Sequence, residues 1–190
     1  MKTCIFSRES RVAFIQAEWH RDLLENAREG FLRRMGEIGV SKEAIDFFDV
    51  PGAFEIPLFA KRLAATGDYA AVIGGALVID GGMYRHEFVA QTVVEALMRV
   101  QLETDTPVFS LVLTPHNFRS EEPLHSFFAQ HLFAKGEEVA DACVKTVGRL
   151  VGLCEGISAE AKRHLAPRAV GRFVPLVDVV SRDRQGDRNH

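Results

Sequence analysis

Several things that would define a disulfide-bonded, metal-built or membrane protein are missing from this sequence. Cysteine occurs three times, at Cys4, Cys143 and Cys154. An odd count at these spacings matches no CxxC pair, zinc set or disulfide framework, so the three read as free thiols in a reducing compartment. No window reaches the length of a membrane span, and the opening stretch MKTCIFSRESR holds no apolar run long enough for a signal peptide. A cytoplasmic protein is expected. Charge of one sign is also scarce: the net value of −3 makes no global case for nucleic acid or membrane as partner. There is no GxGxxG and no P-loop, so a nucleotide site is not supported, and no HxxxH or HExxH pair points to a metal.

What is present is the making of a globular α/β core. Hydrophobic residues make up 47% of 190 residues and charged ones 26%, enough for one buried core. RVAFIQA (11–17), AIDFFDV (44–50), YAAVIGGALVI (69–79) and TPVFSLVLT (106–114) are short apolar runs that predict strands. Helical patterns fall between and after them. HRDLLENAREGFLRRMGEIG (20–39) repeats Leu23, Leu24, Ala27, Phe31 and Met35 and closes on Gly39. EIPLFAKRLAATG (55–67) has Pro57 in its first turn, where a missing N–H costs nothing. FVAQTVVEALMRVQLET (88–104) sets Val89, Val93, Ala96, Leu97 and Val100 on one stripe, and KGEEVADACVKTVGRLVGL (135–153) starts a last helix with Glu137 and Glu138 in its first turn. Alternating strands and helices predict a parallel sheet covered on both faces. From Glu160 the chain carries seven basic and four acidic residues and loses apolar periodicity, apart from an arm-like VGRFVPLVDVV (170–180). The division expected is a domain over 1–156 and a C-terminal extension over 157–190.

In parallel sheets ligands bind outside the carboxyl ends of the strands. The segments there are Glu18–His20, Pro51–Glu55, Asp80–His86 and Pro115–Phe118. Trp19, the only tryptophan, either offers a flat stacking face to a heteroaromatic ring or packs under a loop. Gly52 and Ala53 allow close approach to the backbone, and Glu55 either accepts hydrogen bonds from hydroxyls or simply complements a helix start. Gly81 and Gly82 precede a helix as anion-binding turns do, with Arg85 a fixed cation and His86 a side chain of the type that titrates near neutrality. His116, His125 and His131 stand among Phe127, Phe128 and Phe133, nine and six residues apart, which suits a phenylalanine-rich hinge or subunit contact better than a metal. Lys135 is either a phosphate contact or a solvated lysine.

FDVPGAFEIP, VIDGGMYRHEFVA, VQLET with PV two residues on, and KGEE followed by ADA occur in this order. Together, from about Arg11 to Leu150, they resemble the lumazine synthase family. Trp19, IDGG and LTPH resemble its second class, often decameric. The resemblance implies a flavodoxin-like three-layer sandwich with a four-stranded parallel sheet. It implies a transferase of riboflavin biosynthesis that condenses 5-amino-6-(D-ribitylamino)uracil with 3,4-dihydroxy-2-butanone 4-phosphate to 6,7-dimethyl-8-ribityllumazine, releasing phosphate, with no cofactor and no metal. Pentamer-based homo-oligomers, here a decamer, would share each site between neighbouring subunits.

By the same resemblance Trp19 would stack on the pyrimidine. Ala53 and Glu55 would hold the ribityl chain, with Phe54 between them also at the substrate. Val78 and Ile79 would offer backbone groups, and Gly81 and Gly82 would line the phosphate pocket. His86 would be the acid–base group, through a one-residue shift from the position where gapless alignment sets Arg85. Ser110 and Leu113 would come from the adjacent subunit, with Lys135 near its phosphate side. Phe127 stands where the common class has a phosphate-binding arginine, which leaves that role open among Arg85, His131 and Lys135. The alternative on these residues is a paralogue that binds riboflavin or another flavin, with weak or no synthase activity.

Overall fold

A computed structural model of the protein describes residues 10–116 and 124–156, without the side chains of 124, 125 and 154–156. The proposed extension over 157–190, the arm within it, Cys4, Asn117 and Phe118 lie outside the described residues.

Four parallel strands, β1 (Arg11–Ala17), β2 (Ile45–Val50), β3 (Tyr69–Leu77) and β4 (Val108–Leu113), form one sheet in the order β2-β1-β3-β4. The inner strands β1 and β3 are buried along most of their length, whereas the edge strands β2 and β4 are only partly covered. Burial on both faces is what lets β1 and β3 read as unbroken apolar runs. Helices α1 (Arg21–Ile38) and α4 (Leu124–Gly156) pack together on one face, and α2 (Ile56–Ala64) and α3 (His86–Thr104) cover the other. The result is the parallel sheet covered on both faces that the pattern predicts, in the flavodoxin-like α/β sandwich that the resemblance implies. Short 3-10 turns at Lys42–Ala44 and Ala53–Glu55 lead into β2 and α2.

Packing decides the local details. Phe14 of β1 meets Phe31 of α1 at 5.1 Å between ring centroids, at the centre of the core. On the other face a Cβ at Gly74 would fall 2.7 Å from the Ile56 side chain and 3.2 Å from Leu97, so α2 and α3 settle onto β3 where a side chain is missing. Gly39 ends α1 in the left-handed conformation, with its N–H on the Gly36 carbonyl.

Two expectations change. The last helix begins at Leu124 rather than Lys135, so Glu137 and Glu138 lie mid-helix and not in a first turn. Phe128, Leu132, Val139, Ala140, Cys143 and Val147 form its buried stripe, and the gap in that stripe is Gly136. A Cβ on Gly136 would come within 1.9 Å of the Ala27 carbonyl oxygen, and one on Gly30 within 2.1 Å of the Phe133 carbonyl oxygen. The helices therefore touch backbone to backbone, and a glycine that looks like a helix breaker is the contact itself. In α3 the buried stripe is Ala90, Val93, Leu97 and Val100, while Val89 is 38% exposed.

At the amino end of the sheet the Arg11 guanidinium pairs with Asp46, and Tyr69 donates to Asp46 Oδ2 at 3.0 Å. The hydrogen bond from Arg11 holds the Asp46 carboxyl below the usual carboxylate range. Burial, then the bond to Asp46, pushes the Tyr69 phenol up to about 12. Burial likewise pushes the Cys143 thiol up to about 12, which keeps it an inert core group.

Gly136→Ala is expected to lower stability by about 2–3 kcal/mol, measured by urea unfolding, because the helix backbones must separate. The Asp46 contribution is present above the unfolded carboxyl pKa of about 4 and is lost as pH falls through the lowered folded value. Asp46→Asn should flatten that part of the stability–pH curve while costing stability at pH 7, as unfolding at a series of pH values will record.

Candidate active site

Four connections leave the carboxyl ends of the parallel strands and so share one rim of the sheet. The first, Glu18–His20, is short because the Glu18 N–H bonds the Val50 carbonyl at 2.9 Å while His20 takes a left-handed turn (φ 57°) into α1. That leaves Trp19 72% exposed on the rim, clear of the core and not packed under a loop.

The second connection runs through the 3-10 turn Ala53–Glu55. Gly52 is extended, and a side chain there would meet the Glu55 carboxylate at 3.2 Å, so the glycine makes room for that group. Glu55 faces solvent, and Phe54 is exposed beside it.

Beyond β3 the Val78 N–H bonds the Leu113 carbonyl at 2.8 Å. That donor is committed to the sheet and is unavailable to a ligand. Ile79 is half-buried, and the chain then turns through Asp80–Gly82, where Asp80 Oδ1 accepts the Gly82 N–H at 2.8 Å and Gly82 has φ 78°. This side-chain-closed turn delivers the chain to the start of α3. Arg85 is its N-cap and lays its guanidinium over the Phe88 ring at 4.6 Å. His86 is the first helical residue. Its imidazole is largely buried, with Nδ1 3.7 Å from Glu87 Oε2 and 4.0 Å from Asp80 Oδ1. The turn carboxylate thus stands next to both the glycine and the imidazole. Met83 and Tyr84 of this connection, to which no role falls from the sequence, are each 82% exposed.

The fourth connection follows Leu113. Leu77, Leu113, Thr114, Pro115, Phe128, His131 and Leu132 line a pocket of about 160 Å³ between the ends of β3 and β4 and the first half of α4. His131 stacks almost parallel on Phe127, 5.9 Å between centroids. Phe127, His131 and Lys135 recur every fourth residue and so share one side of α4. Lys135 Nζ pairs with Glu138 Oε2 at 2.7 Å.

The fold therefore gathers Trp19, Ala53–Glu55, Val78–His86 and Leu113 on one rim, with His131 on the pocket behind Leu113. Ser110 is apart: it lies in mid-strand on β4, opposite Gly74, exposed, with its Oγ accepting the Val112 N–H at 3.3 Å. Lys135 does not line the pocket that His131 lines. Among the described residues no three His, Cys, Asp or Glu side chains are grouped to hold a metal ion, and no helix is long and apolar enough to cross a membrane.

One polar residue of this rim escapes a pattern-based reading. Gln16 sits in the apolar run of β1, next to its carboxyl end, and is 2% exposed. What sets it apart from the strand's other core residues is its Nε2 bond to Glu25 Oε1 of α1 at 3.3 Å, which only the folded chain shows.

Comparison with known proteins agrees with this architecture. The model of the 6,7-dimethyl-8-ribityllumazine synthase family matches residues 9–150. A 6,7-dimethyl-8-ribityllumazine synthase 2 of Pseudomonas syringae pv. tomato is 57% identical over 143 residues, 75% of this chain and 84% of the relative. A 6,7-dimethyl-8-ribityllumazine synthase of Rhodococcus erythropolis is 54% identical over 143 residues, 75% of this chain and 92% of that relative. A 6,7-dimethyl-8-ribityllumazine synthase 2 of Bradyrhizobium diazoefficiens is 51% identical over 142 residues, 75% and 85% of the two chains. With the four-stranded parallel sandwich and its glycine-turned rim, a match of this extent means that the chain belongs to the 6,7-dimethyl-8-ribityllumazine synthase family.

Proposed function

We infer that this protein is a transferase of riboflavin biosynthesis, a 6,7-dimethyl-8-ribityllumazine synthase. It condenses 5-amino-6-(D-ribitylamino)uracil with 3,4-dihydroxy-2-butanone 4-phosphate and releases phosphate. The observation that carries this reading is the family match across residues 9–150, which covers every connection on the rim.

The chemistry suits such a rim. The substrate's own amine attacks the ketone, so the protein needs no serine or cysteine nucleophile, and the thiol of Cys143 is buried and neutral. One water leaves on imine formation, phosphate leaves on elimination, and attack of the ribitylamino nitrogen on the remaining carbonyl closes the ring with loss of a second water to give the lumazine. Holding two substrates in register removes much of the entropic barrier. Trp19, exposed on the rim, presents an indole face to the pyrimidine. Ala53, Phe54 and Glu55 present small, apolar and carboxylate surfaces to the ribityl chain and ring. Gly81 and Gly82 leave room for the phosphate, with Arg85 the nearest cation in sequence. His86 is the acid–base group, its imidazole oriented by the Asp80 and Glu87 carboxylates.

Leu113, Ser110, His131 and Lys135 serve the site of a neighbouring subunit, in a pentamer-based assembly that we take to be a decamer. Two features favour a second copy as partner. Phe54, Leu58 and Phe59 are exposed at the start of α2, and Met98 and Leu102 recur at helical spacing along the packed neighbour α3, 54% and 71% exposed. So much unpaired apolar surface on a short chain calls for a matching surface.

Steady-state assay with both substrates, followed by lumazine absorbance, tests the activity. Turnover far above the uncatalysed condensation is expected, and tight riboflavin binding without turnover would overturn it. In the same assay His86→Ala should lower kcat by roughly a hundredfold with little change in affinity for the pyrimidine. Light scattering should give at least five subunits for the native chain and smaller species for Met98→Glu, because a charge in an apolar contact is left unpaired.

A further inference from the structure

A buried polar side chain in a core strand has to be explained. Gln16, one residue from the end of central strand β1, is the one buried polar or charged residue among those described. Its Oε1 is fully enclosed and accepts no hydrogen bond from any described residue. Its Nε2 donates to Glu25 Oε1 on α1 at 3.3 Å. Turning the amide over would set two oxygens against each other, so the carboxylate fixes its direction. An apolar residue there would avoid the orphaned acceptor. The link to Glu25 is what the strand retains by keeping glutamine.

Glu25 is the centre of a ring of charges. Arg21 Nε reaches the same oxygen at 3.2 Å and Arg28 Nη1 lies 3.8 Å from it. Both arginines also reach Asp49 of β2, Arg21 at 2.9 Å and Arg28 at 3.9 Å. Asp49 stands directly opposite Gln16 in the strand register. Arg28 is further pinned over the Phe47 ring, 3.9 Å from its centroid. Each of these pairs is partly exposed and would contribute little by itself. Joined through one buried amide they tie three elements together: the ends of β1 and β2 and the first two turns of α1.

Between those fixed points runs the connection Glu18–His20. The Glu18 N–H is held by Val50, and the His20 carbonyl accepts the Leu23 and Leu24 N–H groups at 3.1 and 3.0 Å. Arg21, the first residue of α1, is the arginine that bridges Glu25 and Asp49. Trp19 therefore projects from a turn whose two ends are anchored. Its own side chain makes little contact with the core.

We propose that Gln16 is a positioning residue for Trp19: through Glu25 and the Arg21–Asp49 bridge it fixes the β1–α1 turn, so that the indole face is held ready for the pyrimidine substrate. The proposal rests on the reading that Trp19 stacks on that ring. Its effect falls on binding of one substrate and not on proton transfer.

Trp19 is the sole tryptophan, so its fluorescence reports this turn alone. The test compares full-length native protein with Gln16→Leu, Glu25→Gln and Trp19→Ala. In the unliganded protein, Gln16→Leu should make the time-resolved anisotropy of Trp19 decay faster on the nanosecond scale and increase acrylamide quenching. KM for the ribitylaminouracil should rise roughly tenfold, with KM for the butanone phosphate and kcat nearly unchanged. Its thermal midpoint should stay level or rise, since the orphaned oxygen is gone. If Gln16→Leu does not fold, Glu25→Gln provides the same readouts, because it breaks the ring of charges on the surface without touching the core. Unchanged Trp19 anisotropy in a folded variant overturns the proposal. Altered anisotropy with unchanged KM in the Gln16 variant also overturns it, provided Trp19→Ala raises KM. If Trp19→Ala itself leaves KM unchanged, the stacking reading has failed, and anisotropy alone still decides whether Gln16 holds the turn.

Discussion

Two glycines set the distance between α1 and α4. At Gly30 and Gly136 there is no space even for a methyl group, because each faces a carbonyl oxygen of the other helix. The crossing brings the helix backbones together over the sheet and lets Phe14, Phe31, Leu132 and Cys143 share one core. It also fixes the side of α4 that faces away. Phe127, His131 and Lys135 lie at four-residue spacing on this helix, and His131 reaches the pocket at the ends of β3 and β4. A wider crossing would carry that stripe off the rim. Core packing and site geometry thus depend on the same pair of contacts.

The rim shows how a parallel sheet distributes chemistry. Strands end in register, so turns far apart in sequence emerge side by side. Each turn is closed by a different device: a left-handed His20, an extended Gly52 beside Glu55, and Asp80 bonded to the Gly82 N–H. The same Asp80 oxygen lies 4.0 Å from His86 Nδ1, so a turn residue also stands beside the acid–base candidate. Catalysis by holding two reactants together asks for this kind of rigidity more than for a reactive nucleophile. The exposed apolar residues of α2 and α3 bear on the proposed assembly, in which neighbouring copies would have to be held as firmly as the turns.

How much of this could be read from residues alone varies with the element. The run at 11–17 matches the first strand to the residue, because burial on both faces leaves it almost continuously apolar. The block from Asp80 to His86 could be placed at a strand end from its glycines. The last helix starts eleven residues before Lys135, the start its pattern suggests, since Gly136 resembles a start signal when its contact with Ala27 is unseen. Gln16 was hidden for the opposite reason. One glutamine in an apolar run looks incidental until Glu25 and Asp49 are found around it.

The sequence by itself determined the alternation of strands and helices, the parallel sheet and the family, because periodicity, turn residues and ordered motifs are local properties of the chain. The tertiary structure decided what depends on distance between remote segments. It set Trp19 outward on an anchored turn, committed the Val78 N–H to Leu113, and paired Lys135 with Glu138. It separated Ser110 from the rim and stacked His131 on Phe127. Those outcomes follow from which backbones can approach and which polar groups find partners once the helices are packed, and no one-dimensional pattern encodes either.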